Sequence, residues 1–170
     1  VLRVLRESGV FSPIESTRSR HGHRSFGKDI PKGFHPFTVR IYKGLWRWPL
    51  SYGVVSSEYG KRWGRRHHGI DIAADEGDKV HASAPGEVLY ASSTLKGYGN
   101  VVILRHDEKT TSLYAHNTKL FVAKGDKVKL GQVIASVGST GRSTGPHVHF
   151  EIRKSDRAVD PRQLLPKTRF

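Results

Sequence analysis

Gly145-Pro146-His147-Val148-His149-Phe150-Glu151-Ile152 is the stretch that decides how this chain folds. In a β-strand, successive side chains point to opposite faces. The rule separates His147, His149 and Glu151 from Val148, Phe150 and Ile152. The second face is apolar and requires a core. The first carries two imidazoles one pleat apart, close enough on a rigid strand to reach one metal-centred site. A polar, solvent-facing strand edge produces the same pattern, so this stretch alone predicts a strand and leaves its chemistry open.

Moving outward, short strands dominate from residue 41 onward. Residues 86–92 alternate, and residues 101–104 form a continuous apolar run, as a strand buried on both faces does. Asp107-Glu108-Lys109 reads as a hairpin turn into a strand over residues 110–116. Residues 133–137 form another strand, and residues 160–164 a helical turn. Gly77-Asp78-Lys79-Val80 recurs as Gly125-Asp126-Lys127-Val128, followed by Gly86-Glu87-Val88 and Gly131-Gln132-Val133. Two related turn-plus-strand units packed face to face explain this echo. The expected fold is all-β: an antiparallel β sandwich or flattened barrel over residues 41–165, with an active-site groove. Residues 1–40 read as a basic N-terminal arm, with one short amphipathic turn at Val1-Leu2 and Val4-Leu5 and no apolar periodicity beyond Ser12, and residues 166–170 as a tail. His21, His23 and His35 fall in the arm and read as exposed linker histidines.

Composition excludes several chemistries. The chain has no cysteine, so thiolate zinc sites, disulfide scaffolds and thiol nucleophiles are ruled out, and any metal site uses His and carboxylate. No apolar run is long enough to span a bilayer. The formal net charge is +14, from 29 Lys and Arg against 15 Asp and Glu. Solvated surface charge accounts for this, as does a polyanionic partner; charge alone does not choose. Nucleic acid is set aside, because the aromatic residues form no recognisable nucleic-acid motif. The chain starts at Val1 with no signal pattern before it, as a processed or trimmed form does.

His67-His68-Gly69-Ile70-Asp71 is the second stretch that bears on chemistry. Gly69 and the Ile70, Ile72 alternation favour an extended segment, in which His67 and Asp71 share a face. Neutral imidazole and carboxylate are both zinc ligands at about 2.0–2.2 Å; an ordinary His–Asp surface contact is the plainer alternative. Together the two stretches supply His, Asp and His, and three protein ligands with a fourth place for water is the pattern of catalytic zinc. His116, closing the strand at Leu113-Tyr114-Ala115-His116, and His147 are spare imidazoles suited to moving protons. The loop of residues 138–146 has three glycines but lacks a Gly-Lys-Ser/Thr ending, and fits the wall of a peptide groove better than a phosphate cradle.

These motifs, in this order, resemble the lysostaphin-like (LytM-type) zinc endopeptidases of peptidoglycan, over about residues 48–165. Gly97-Tyr98-Gly99-Asn100 and residues 139–145 resemble the family as well. The resemblance implies one zinc per chain held by His67, Asp71 and His149, with His116 and His147 as catalytic histidines. His68 is then a bystander, and His81 and His106 are packing or surface residues. It implies hydrolysis of peptide cross-links, D-alanyl–diaminopimelate bonds ahead of glycine bridges since no wall-targeting module accompanies the domain, outside the cytoplasm in periplasm, envelope or medium. The basic arm is expected to hold anionic envelope polymers. The resemblance also raises a non-enzymatic activator of wall amidases, against which all five filled positions argue. The repeated Gly-Asp-Lys-Val turns raise a lipoyl- or biotinyl-type carrier, but the Met that flanks the biotinyl lysine is missing.

Overall fold

The computed structural model describes residues 46–62 and 64–167. The arm expected over residues 1–40 lies outside the described residues. Thirteen strands are formed by β1 Val54–Ser57, β2 Gly60–Arg62, β3 Arg65–His67, β4 Ile70–Ala73, β5 Lys79–His81, β6 Gly86–Ser92, β7 Asn100–Arg105, β8 Thr110–Asn117, β9 Lys119–Leu120, β10 Lys127–Val128, β11 Val133–Ser136, β12 His147–Lys154 and β13 Arg157–Val159. A 3-10 turn, Pro161–Gln163, follows, with Asp160 capping it through Arg162 N–H.

The main sheet runs β1-β4-β12-β8-β7-β6-β10, with β13 also on β12; β5-β11-β9 form a second sheet and β2-β3 a ribbon. Every pairing among the described strands is antiparallel. The all-β antiparallel sandwich read from the sequence is therefore the fold.

Alternation along the central strands builds two apolar layers. On β7, Val102 and Leu104 face the main core with Val80, Ile134, Tyr114 and Phe150. Val101 and Ile103 face the opposite side, where Leu89, Leu95, Leu113 and Ala115 cover them. This is why residues 101–104 read as an unbroken apolar run. On β12, Val148, Phe150 and Ile152 all lie fully buried in the main core. Burying one such side chain contributes roughly 1.5–3 kcal/mol, so the apolar face of β12 fixes which way its histidines point.

The sequence echo is a structural one, with the two units interchanged. β5, from the first Gly-Asp-Lys-Val, pairs with β11, which follows the second copy; β10, from the second, pairs with β6, which follows the first. The turns match bond for bond. Asp78 accepts from Asp75 N–H at 3.0 Å, and Asp126 from Ala123 N–H at 2.8 Å. Val137 N–H donates to Asp78 O, and Val88 N–H to Asp126 O, each at 2.8 Å.

The extended segment expected over residues 67–71 is broken into β3 and β4 at His68-Gly69. Gly69 lies against the backbone of β12: a Cβ there would stand 2.1 Å from Phe150 O. Only a residue without a side chain lets the chain pass so close.

Candidate metal centre

Asp71 and His149 are direct partners across the β4–β12 ladder. His67 ends β3 and reaches the same point from the neighbouring ribbon. Their ligand-type atoms form a triangle. His67 Nε2 lies 3.1 Å from Asp71 Oδ1 and 3.1 Å from His149 Nδ1, and His149 Nδ1 lies 2.8 Å from Asp71 Oδ1. Ligands at about 2.0–2.1 Å from a tetrahedral centre stand about 3.3–3.4 Å apart, so the triangle is close to the size zinc needs. All three residues are buried.

Hydrogen bonds on the far side of each ring leave lone pairs at the centre. His67 Nδ1 donates to Glu58 O at 2.7 Å, so its Nε2 is free to ligate. His149 Nε2 lies 3.0 Å from Glu151 Oε1, so its Nδ1 is free to ligate. Three acceptor atoms within 3.1 Å of one another repel unless a cation or a proton sits among them. Donor set, spacing and burial fit a divalent ion of the zinc type, and the cluster can coordinate one.

The protein's charges are arranged around this cluster. Burial alone raises the Asp71 carboxyl, but the imidazoles of His149 and His67 against it outweigh burial and hold Asp71 ionised, far below the ordinary carboxylate range. Burial also opposes charge on His149, but Asp71 and Glu151 on its two nitrogens raise it to about 9 in the metal-free protein. Glu151, fully buried, is lowered to about 2: burial raises it, and His149 and Arg153 more than compensate.

The two remaining imidazoles stand beside the cluster. His147 Nδ1 bonds Gly145 O at 2.8 Å, and its Nε2 lies 3.9 Å from Asp71 Oδ1. His116 Nδ1 bonds Thr140 O at 2.8 Å, and its ring centre is 4.7 Å from that of His147. Burial lowers His116 to about 4, with the neighbouring imidazoles adding to the effect and the Thr140 carbonyl opposing it. His116 takes its place through a bulge. Between the Val102–Tyr114 and Asn100–Asn117 pairs, β8 carries one more residue than β7, and His116 has φ +65°. Bulges re-aim a side chain at the rim of a sheet, and a positive φ at a non-glycine residue is a recurrent mark of such sites.

The groove over this cluster holds about 870 Å³ and is lined by Arg66, His68, Tyr98, Arg142, Ser143 and Thr144 besides the cluster residues. The glycine-containing segments singled out in the sequence meet as its wall. Arg142 N–H donates to Gly97 O at 2.9 Å, and a Cβ on Gly141 would stand 2.3 Å from Gly99 N. Gly99 and Gly141 adopt φ +63° and +73°, so both glycines are needed for conformation as well as for space. Thr140 clamps the crossing, donating to Asn117 O at 2.7 Å and accepting from Asn100 N–H at 3.0 Å.

All five residues expected at the site, His67, Asp71, His116, His147 and His149, therefore come together. His68 is exposed on the groove wall, outside the cluster. His106 packs edge-on against Trp46 and bonds Pro85 O, a packing residue as expected; His81 lies beside Pro49 and does not line the groove. Glu151, Tyr98 and Arg142 carried no assigned role from sequence. Glu151 falls two residues after His149 on the same strand face, and Tyr98 and Arg142 fall in the two glycine-containing segments that resemble the family.

Comparison with known proteins bears on this geometry. A lipoprotein NlpD/LppB homolog of Pseudomonas aeruginosa is 45% identical over 135 residues, covering 79% of this chain and 44% of that protein. The murein hydrolase activator NlpD of Escherichia coli is 42% identical over 122 residues, covering 72% of this chain and 31% of that protein. The chain thus spans less than half the length of these relatives. Among solved structures, the catalytic domain of the prophage-encoded M23 protein EnpA from Enterococcus faecalis superposes with TM-score 0.63 at 38% identity, covering 69% of this chain and 95% of that one. The family model of peptidase family M23 matches residues 65–161. A His/His/Asp metal-ligand cluster in that fold is the equipment of a zinc metalloendopeptidase. The match includes all five clustered residues within one β-rich span, and the chain belongs to peptidase family M23.

Proposed function

We propose that this chain hydrolyses peptide cross-links of bacterial peptidoglycan, at D-alanyl–diaminopimelate bonds, outside the cytoplasm. The observation that carries the reading is the His67–Asp71–His149 triangle with two further imidazoles beside it. His67, Asp71 and His149 would hold one zinc. When bound, the ion acidifies water toward a pKa of about 7 and polarises the scissile carbonyl.

The protein's own groups do the rest. Both spare imidazoles have Nδ1 committed to a backbone carbonyl, which leaves each Nε2 as a proton acceptor. His147, with Nε2 beside Asp71, takes the proton of the attacking water. His147 then returns that proton to the leaving amine. His116, kept neutral by burial, accepts the second proton as the tetrahedral hydroxyl collapses to carboxylate and releases it to solvent. The products are a carboxylate and an amine, with the water's protons accounted for.

Charge on the groove favours the diaminopimelate bond. Asp71 is engaged in the cluster and Glu151 is buried against Arg153, so the exposed charges on the lining are Arg66 and Arg142. A diaminopimelate residue presents a free carboxylate near the cut bond, whereas a glycine bridge presents none. Arg142→Gln is expected to raise KM about tenfold on diaminopimelate peptides, the worth of one charge-assisted hydrogen bond, with kcat little changed. Amidation of the substrate carboxylate should remove that difference.

The location rests on relatives named as lipoproteins. No helix among the described residues is long and apolar enough to cross a membrane. The basic arm is assigned to anionic envelope polymers. Digestion of diaminopimelate-type and glycine-bridged sacculi, with mass spectrometry of the fragments, tests the reading. Cleavage confined to the first kind and abolished by a chelator supports it; cleavage of glycine bridges alone overturns the bond assignment. A second reading follows from a relative named as a murein hydrolase activator. Stimulation of a wall amidase that survives metal removal would favour it.

A further inference from the structure

We infer that Glu151 is a positioning residue that sets the zinc affinity of this site by holding the His149 ring with Nδ1 turned to the metal. The inference rests on His149 being a ligand. Glu151 is fully buried on β12, and neither packing nor solubility accounts for a carboxylate there. Removing such a charge from water costs several kcal/mol unless it is paired and hydrogen-bonded. Here both oxygens are engaged. Oε1 accepts from His149 Nε2 at 3.0 Å and from the Tyr98 hydroxyl at 3.0 Å, and Oε2 accepts from Arg153 Nη1.

The consequence lies in the imidazole. His149 can offer either nitrogen to a metal, and rotating the ring by a half turn exchanges them. The carboxylate on the Nε2 side holds a donor there, so Nδ1 faces Asp71 Oδ1 and His67 Nε2. Arg153 and Tyr98 fix the carboxylate in turn from its two ends. Tyr98 also lines the groove, with its ring centre 5.9 Å from that of His149, so the arrangement joins the groove wall to the ligand. Residues that orient a ligating histidine typically account for about 10–100-fold in metal affinity.

Replacing the carboxylate by an amide is a sharp test. Glutamine has one acceptor oxygen, whereas Glu151 serves donors on both oxygens, so Glu151→Gln sets a donor against a donor on one side or the other. Zinc affinity is measured by competition with a chromophoric chelator on the metal-free chain, with circular dichroism confirming folding. Glu151→Gln is expected to bind zinc about tenfold more weakly, and Glu151→Ala about 10–100-fold more weakly. If Glu151→Ala does not fold, the glutamine variant decides. A merely structural role predicts lower thermal stability with unchanged affinity, so folded variants binding within twofold of the parent overturn the inference. His149→Ala, measured alongside, separates the two readings: were it to bind zinc like the parent, the ligand assignment itself would fail.

Discussion

His149→Ala is expected to abolish zinc binding and hydrolysis together. A catalytic zinc site has three protein ligands and an open place, so losing one leaves two ligands and no defined geometry. The cost exceeds the roughly 10–100-fold lost when a residue that only orients a ligand is changed. The variant also leaves Asp71 without its 2.8 Å partner. Metal content of the purified variant, and turnover on sacculi with zinc in excess, check both halves; full activity refutes the ligand assignment.

Binding at this site also responds to pH, with a definite sign. In the metal-free protein His149 is raised to about 9, so below that pH zinc displaces a proton. Affinity therefore rises with pH, up to about tenfold per unit, and levels off above about pH 9. Stability of the metal-free protein runs the other way. The raised His149 contributes stability that is complete below about pH 6.5 and is lost as pH rises through about 9. The depressed Glu151 contributes stability that is complete above about pH 4.5 and is lost as pH falls toward about 2.

His147→Ala is expected to keep its zinc and lose most of its turnover, by about 10²–10⁴-fold, the contribution of a positioned base. Its imidazole lies at the edge of the triangle, 3.9 Å from Asp71 Oδ1, whereas the three ligand-type atoms lie within 3.1 Å of one another. The split between retained metal and lost rate is the measurement that matters; loss of zinc would make His147 a ligand.

Much of this was open to reading along the chain. The apolar face of residues 147–152 and the buried run at 101–104 predict strands because side-chain alternation is local. The Gly-Asp-Lys-Val echo announces two related units for the same reason. That the units exchange partners, β5 to β11 and β10 to β6, is not local, since pairing depends on which sheet edges the whole chain leaves free. The His67–Asp71 pair was legible as two ligands, but not the break at Gly69, which the backbone of Phe150 imposes from 81 residues away.

The sequence by itself determined the fold class and the five polar residues, because strand period and ligand chemistry are properties of residues and their spacing. Tertiary structure decided the rest. The register of β4 on β12 sets Asp71 opposite His149, the bulge in β8 turns His116 inward, and Glu151 is buried where it selects the nitrogen His149 offers. A one-residue slip in that register would turn every side chain on β12 to the other face. Only the packing of Val148, Phe150 and Ile152 into a core assembled from distant strands prevents it.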